Sequence, residues 1–310
     1  MQNSVLDAKH FHDEEAAYAY LEARVWPKGP VCPHCGGVDR VGKLKGKSTR
    51  IGVWKCYQCR KPFRVTVGTV FESSHVPLRL WLQAVHLMTS SKKGISSNQL
   101  HRVLGVTLKT AWFMSHRVRE AMRVLGMEPM GGEGEVVEVD ETYIGRRDGA
   151  VKARGTGHKN VVLTLVQRGG TARSFHVDGM AISDVMPILR ENVARESRVN
   201  TDESSSYNDV ALEFAEHDAV NHGQDEYARR TDDPLYIIST NTIEGYYSIF
   251  KRGMKGVYQH CKEKHLHRYL AEFDFRYSNR IALGVDDTER ADRTLKGIVG
   301  KRLTYRPPHI

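Results

Sequence analysis

The chain has 310 residues, of which 40% are hydrophobic and 27% charged. This composition, with a mean hydropathy of -0.48, excludes a disordered tail and a fibrous repeat, and the length suits roughly two domains. No run of residues reaches the ~18 to 20 apolar residues that a membrane span needs, and the N-terminus lacks the pattern of a signal peptide. We therefore expect a cytoplasmic protein with no membrane partner.

The net charge of +9 is unevenly distributed along the chain. The first 126 residues contain 20 Lys and Arg against 8 Asp and Glu, a net charge of +12, whereas the remainder carries -3. A basic surface binds polyanions because it releases their counterions. We predict that DNA binding resides mainly before Gly126, with a solvated basic surface as the alternative interpretation.

Four of the five cysteines form two CxxC pairs with 20 residues between them. Each CxxC turn can present two sulfurs to one ion, so the two pairs can complete a tetrahedron around zinc. Two disulfides are the alternative, which a cytoplasmic protein disfavours. We predict a small zinc ribbon with an N-terminal helix over residues 10–70, whose structural Zn²⁺ is held by Cys32, Cys35, Cys56 and Cys59.

Helical periodicity begins after Pro77 and continues to Met122. A short serine-capped helix ends at Gly105, and a second helix starts near Thr107. This arrangement is typical of a helix-turn-helix, here within residues 77–126, although an ordinary helical hairpin is the alternative. The residues predicted to contact a DNA groove or phosphates are Lys109, Thr110, His116 and Arg117.

A glycine-rich connector at residues 131–134 separates these modules from a region of short β-rich runs. The predicted strands occupy residues 135–144, 160–166, 173–177 and 198–201, and a short segment near Val220. The predicted helices between and after them occupy residues 182–193 and 207–214. Strands followed by an alternation of helices and strands predict an α/β fold with a mixed sheet and flanking helices.

Three carboxylates stand where such a fold can bring them together. Asp140 lies at the end of the first predicted strand, Asp202 at the end of the fourth, and Glu244 in a helical segment. Carboxylate oxygens are ligands of Mg²⁺, and two such ions can activate an attacking hydroxyl and stabilise the leaving oxygen of a phosphodiester. Taken singly, each residue is more typical of a helix cap or a surface charge. Glu141 is expected to point to the opposite face of the strand from Asp140.

The sequence resembles the ISXO-type DDE transposases of bacterial insertion sequences. The similarity covers about residues 10–282. It is carried by the block from Phe11 to Gly37, the VDETYIG run at 139–145, the NTDES run at 200–204 and the stretch from Ser239 to Arg280.

This resemblance implies an RNase-H-like DDE catalytic core over residues 134–282, with residues 283–310 left as an unassigned tail. It also implies a homo-oligomer on double-stranded DNA that binds the terminal inverted repeats of an insertion sequence, cleaves to free 3′ ends and joins them to target DNA. Mg²⁺ or Mn²⁺ would be the catalytic cofactor. The implied catalytic residues are Asp140, Asp202, Glu244 and Lys251, the first three as magnesium ligands.

Three alternatives stay open beside this interpretation. Asn241, about one helical turn before Glu244, could contribute to the metal site or replace Glu244 as the third ligand. A domesticated regulator would bind DNA without cutting it. A metal-dependent nuclease would hydrolyse DNA without joining the ends.

Overall fold

The computed structural model describes residues 4–207, 209–233 and 236–304. The chain divides into two compact units, one formed by Met1–Arg123 with Asp286–Ile310 and the other by Val124–Val285. The last six residues of the unassigned tail, 305–310, lie outside the described residues. Within the described ranges, no helix has both the length and the apolar character needed to cross a membrane.

The first α-helix of the first unit is α1 (Glu14–Val25), which is followed by an antiparallel sheet of three short strands. The strands are β1 (Val41–Lys43), β2 (Trp54–Cys56) and β3 (Pro62–Phe63), in that order across the sheet. The ring of Phe63 packs edge-on against that of Trp26, with centroids 5.7 Å apart. Two of the cysteines are buried in the same cluster, so aromatic rings and sulfur together form the core of the ribbon.

Three more helices continue the first unit. They are α2 (Leu78–Thr89), α3 (Ser97–Leu104) and α4 (Leu108–Met122). Ser96 and Thr107 cap α3 and α4 by accepting hydrogen bonds from backbone N–H groups of the first turn. Gly105 has a φ of 65°, the left-handed conformation that ends α3. The two predicted helices and the glycine turn between them are therefore confirmed.

A helix near the end of the chain, α8 (Asp287–Lys296), also belongs to the first unit. It packs against α1, α2 and α4. Arg24 of α1 forms an ion pair with Asp292 of α8 at 2.5 Å. This helix lies in the tail for which no element was predicted, although Asp286 followed three residues later by Glu289 is a pattern typical of a helix start.

The second unit is built on a five-stranded mixed sheet in the order β6-β5-β4-β7-β8. Its strands are β4 (Val136–Ile144), β5 (Asn160–Gln167), β6 (Ala172–Val177), β7 (Arg198–Asp202) and β8 (Glu216–Val220). β4, β5 and β6 form an antiparallel meander, whereas β4, β7 and β8 run parallel. A separate antiparallel pair is formed by β9 (Ala228–Arg230) and β10 (Ile237–Ser239).

Helices cover both faces of the five-stranded sheet. They are α5 (Ile182–Asn192), α6 (Asn241–Gly253) and α7 (Leu266–Ser278), and a π-helix, Met254–Tyr258, continues directly from α6. Val139 and Leu163 face α5, whereas Val162 lies in the cluster with α6 and α7. The predicted α/β fold, a mixed sheet with flanking helices that is consistent with an RNase-H-like core, is thus confirmed.

The helix predicted over residues 207–214 is wrong. That region contains two 3-10 turns, Ser205–Tyr207 and Val210–Leu212, and Asn208 between them is outside the described residues. Tyr207 and Val210 are both buried in the cluster that includes α5. The apolar spacing that suggested one helix therefore comes from two turns, each of which buries one side chain.

Candidate active site and metal centres

The four cysteines of the ribbon come together. The Sγ atoms of Cys32 and Cys59 are 3.6 Å apart, those of Cys35 and Cys56 are 3.7 Å apart, and all four lie within 4.8 Å of one another. A tetrahedron with zinc–sulfur distances of about 2.3 Å has sulfur–sulfur edges of about 3.8 Å. The sulfurs already have the separation that a bound zinc ion requires, so this donor set fits a structural Zn²⁺.

The four residues predicted to contact DNA lie in two different environments. At the start of α4, Lys109 is exposed and Thr110 is half-buried. His116 and Arg117 are only 1% and 7% exposed, and Arg117 donates hydrogen bonds to two backbone carbonyl oxygens. The prediction that His116 and Arg117 contact DNA is therefore corrected, because every residue from Met114 to Met122 is buried and the second half of α4 is covered on all sides.

Substitutions in α4 should separate stability from DNA binding. Arg117→Ala removes a buried guanidinium group together with its two hydrogen bonds. It is expected to lower the free energy of unfolding by about 2 to 3 kcal/mol. Lys109→Ala should leave stability nearly unchanged, weaken DNA binding and reduce the slope of log Kd against log salt by about one. Urea unfolding and anisotropy titrations at several salt concentrations measure these effects. A fully stable Arg117→Ala protein that no longer binds DNA would restore the original assignment.

Asp140 and Asp202 lie at matching positions of two parallel strands. The last paired residues of β4 and β7 are Glu138 and Asn200. Asp140 follows two residues after Glu138, and Asp202 two residues after Asn200. The carboxylate oxygens of Asp140, Glu141 and Asp202 all lie within 4.8 Å of one another. We call these three side chains the carboxylate cluster. Two of the three predicted acidic ligands are therefore brought together.

Glu141 is the third member of the carboxylate cluster, although it was not predicted as a metal ligand. Glu141 lies on the opposite face of β4 from Asp140, as expected, yet the end of its side chain reaches the carboxylates of Asp140 and Asp202. The buried Tyr207 hydroxyl donates a hydrogen bond of 2.9 Å to Glu141 Oε2 and holds the side chain there. Because the pairing of β4 with β7 ends at Glu138, no residue of β7 is paired with Asp140 or Glu141, although both remain paired with β5.

The electrostatics of the carboxylate cluster favour a cation. Burial, followed by the charge of Glu141, raises the pKa of Asp140 to about 7, and Asp202 adds to this effect. Burial also raises the pKa of Glu141. The ammonium group of Lys251 acts in the opposite direction and lowers the pKa of Asp140. Half-buried carboxylates that repel one another, and that offer oxygen ligands, fit a divalent cation such as Mg²⁺ or Mn²⁺.

Glu244 and Lys251 both lie on α6, on either side of Tyr247. The Tyr247 hydroxyl donates a 2.6 Å hydrogen bond to the backbone carbonyl of Asp140, so α6 is fixed to β4 beside the carboxylate cluster. Lys251 Nζ lies 5.4 Å from the centre of the Tyr247 ring. The group of carboxylates within 4.8 Å of one another does not include Glu244. Its half-exposed carboxylate lies 3.5 Å from Nε2 of His222.

A buried ion pair holds the first turn of α6. Glu138, which is 0% exposed, accepts a hydrogen bond of 2.7 Å from Arg168 Nε and one of 2.9 Å from the backbone N–H of Ile243. Glu138 precedes Asp140 by two residues and shares its face of β4. One strand therefore carries a carboxylate of the cluster and also anchors the helix beside it. In the sequence, Glu138 stands out as an acidic residue inside the apolar run VVEV at residues 136–139, a pattern that indicates a buried carboxylate with a partner.

Glu138→Gln should destabilise the second unit by about 3 kcal/mol, because it leaves the Arg168 guanidinium near the core without its counter-charge. A matched control is Glu216→Gln, which removes the partner of a more exposed ion pair with Arg198 and should cost less than about 1 kcal/mol. Chemical denaturation of both full-length variants measures the difference. Equal losses of stability would show that Glu138 does not anchor α6.

Comparison with known proteins agrees with this architecture. Residues 132–278 match the ISXO2-like transposase domain, and residues 12–62 match the transposase zinc-ribbon domain. The chain is also 28% identical over 291 residues to a protein of Halobacterium salinarum named "Uncharacterized protein in transposable element ISH50", covering 88% of this chain and 93% of that relative. These two matches confirm the resemblance to the ISXO-type DDE transposases: residues 132–278 are similar to an ISXO2-like transposase domain, and residues 12–62 to a transposase zinc ribbon.

Proposed function

We propose that this protein is a DNA transposase that binds the terminal inverted repeats of an insertion sequence, cleaves to free 3′ ends and joins them to target DNA. The observation that carries the proposal is the pairing of Asp140 and Asp202 at matching positions of parallel strands inside a transposase domain. The similarity to a protein of a transposable element supports it.

We propose that Asp140 and Asp202 bind Mg²⁺ or Mn²⁺ together with a third oxygen ligand. Bound divalent ions activate an attacking hydroxyl and stabilise the leaving oxygen of a phosphodiester. Lys251 lies close enough to lower the pKa of Asp140, and its role is to bind a phosphate of the DNA strand beside the carboxylates. The side chains of this site thus hold the cations and the phosphate in one place.

The third ligand is proposed to be Glu244, with Glu141 and Asn241 as the competitors. Glu141 already lies in the carboxylate cluster, but Tyr207 occupies one of its oxygens. Asn241 is the exposed first residue of α6. Glu244→Gln is expected to reduce cleavage by at least about a hundredfold, and Glu141→Gln and Asn241→Ala to have smaller effects. The reverse order of effects in the same cleavage assay would transfer the ligand to whichever residue proves essential.

The first unit is proposed to bind the element ends. Several basic side chains of the zinc ribbon are exposed, namely Lys45, Lys47, Arg50, Arg60 and Lys61. Contacts of such residues to phosphates position a protein on DNA without reading its sequence. Because an element has two ends and each needs a catalytic site, we also propose that two or more copies assemble on the DNA.

The proposed function can be tested with purified full-length protein, Mg²⁺ and DNA that includes the flanks of its own gene. Sequencing of the products should identify free 3′ ends at the element boundaries and strands joined to new sites. Cleavage without joining would indicate a metal-dependent nuclease instead. Binding without cleavage would indicate a regulator.

A further inference from the structure

We propose that a basic cavity in the second unit binds one unpaired nucleotide of the DNA strand on which the enzyme acts. This inference deepens the proposed function and rests on it. The cavity has a volume of about 790 Å³ and is formed by the end of β4, the start of β5 and the segment from the π-helix to α7. Its volume falls within the ~300 to 1,000 Å³ of pockets that bind small molecules, and therefore suits a base with its sugar.

The cavity lies a short distance from the carboxylate cluster. Its lining begins at Tyr143, three residues after Asp140 on the same strand. Three residues of β-strand span about 10 Å, which equals about three nucleotide steps of duplex DNA. A strand whose phosphate lies at Asp140 can therefore place a nearby nucleotide in the cavity. A base enters such a cavity only after it has left the stacked duplex.

The charges around the cavity favour a phosphate backbone. Four cationic side chains of the lining form no ion pair within the part of the chain that the structure describes, namely Arg146, Lys159, Lys255 and Lys262. Arg147 is a fifth and donates to a backbone carbonyl of Lys159. Asp148 is the acidic residue among the described lining residues. Such an excess of positive charge attracts nucleic acid phosphates.

A buried amide in the lining is independent evidence that the cavity binds a ligand. Asn160 lines the cavity, is 2% exposed, and its Oδ1 has no hydrogen-bond partner among the described residues. A buried acceptor without a donor is unfavourable, so a ligand with an N–H group gains by binding there. The exocyclic amino group of cytosine, adenine or guanine is such a donor, whereas thymine has no amino group and offers only the N3–H of its ring. The apolar side chains of Met254 and Leu266 line the same cavity and suit the face of a base.

The test is binding of fluorescent pentanucleotides (dC)5 and (dT)5 to the full-length protein in EDTA. Because both probes are pyrimidines, their bases differ only at N3, C4 and C5, and only cytosine has an amino group at C4. We expect (dC)5 to bind at least about fivefold more tightly than (dT)5. Asn160→Leu should abolish this preference, whereas Asn160→Asp, which keeps an acceptor oxygen, should retain it. Equal binding of the two probes, or a preference that survives Asn160→Leu in a protein with unchanged melting temperature, would overturn the proposal.

The basic rim is tested separately with a double variant, Arg146→Ala with Lys255→Ala. It should weaken both probes by about tenfold, because two phosphate contacts are lost. Lys264→Ala is the matched control, since Lys264 is exposed near Lys262 but does not line the cavity; its affinity should stay within about twofold. Equal losses in the two proteins would assign binding to general surface charge. Because the binding assay is run in EDTA, its result does not depend on cleavage. A cytosine preference here, combined with no DNA cleavage in the Mg²⁺ assay, would refute the proposed function and leave the cavity assignment standing.

Discussion

Asp140→Asn and Asp202→Asn should each lower the rate of DNA cleavage by at least about a thousandfold while the affinity for DNA changes by less than about twofold. Each substitution removes an oxygen ligand from the carboxylate cluster, in which all three carboxylates lie within 4.8 Å of one another. Affinity should survive because the basic excess lies in the first 126 residues. Cleavage assays in Mg²⁺ and in Mn²⁺, with a parallel binding titration, measure both quantities.

Asp140→Asn, which should lose cleavage activity, is expected to raise the folding stability of the metal-free protein. The folded-state pKa of Asp140 is raised from the ordinary 3.8 to about 7, so the folded chain holds a proton that the unfolded chain releases. Without metal, folding stability should therefore fall as pH rises from about 4 to about 7. Asp140→Asn removes this penalty and should melt at a higher temperature than the wild type in EDTA at pH 8. Identical melting temperatures in EDTA would contradict the repulsion on which the metal site is argued.

Cys56→Ser should eliminate the bound zinc and unfold the ribbon. Cys56 is fully buried and its Sγ lies 3.7 Å from that of Cys35, so a hydroxyl there breaks the tetrahedron. Structural zinc contributes on the order of 10 kcal/mol or more to the folding of small zinc modules. Elemental analysis should fall from one zinc per chain to near zero, and protease should cleave residues 26–64 rapidly.

Cys261→Ser is the matched control for this experiment, because Cys261 is half-buried in the second unit and is not part of the cysteine group. It should retain one equivalent of zinc and the protease resistance of the wild type. Loss of zinc from Cys261→Ser, or full zinc in Cys56→Ser, would contradict the four-thiolate site.

Features that depend on neighbouring residues could be predicted from the sequence. The serine before α3, the glycine after it and the threonine before α4 act within one helical turn, so their spacing identified both helices. The two CxxC pairs identified the zinc donors for the same reason, since each pair forms its own turn. The β-rich runs predicted the strands of the mixed sheet, and the resemblance supplied Asp140 and Asp202.

Features that depend on distant residues could not be predicted in this way. Periodicity identified α4 as a helix but did not show that Arg117 is covered, because one of its acceptors is the carbonyl of Leu303, 186 residues away. Glu141 joins the carboxylate cluster through the hydroxyl of Tyr207, in a segment wrongly predicted as a helix. In both cases a tertiary contact decides where a polar side chain lies, and no local spacing records it.

The position of α8 has a consequence for the order in which the protein becomes functional during translation. The ribosome makes Asp287–Lys296 after the residues of α1, α2 and α4, at ~5 to 20 residues per second, yet this helix packs against all three helices of the first unit. The residues of the second unit, Val124–Val285, have all been synthesised by then. A nascent or prematurely terminated chain thus contains the carboxylates of the proposed active site, but its first unit, which is proposed to bind the DNA, still lacks α8.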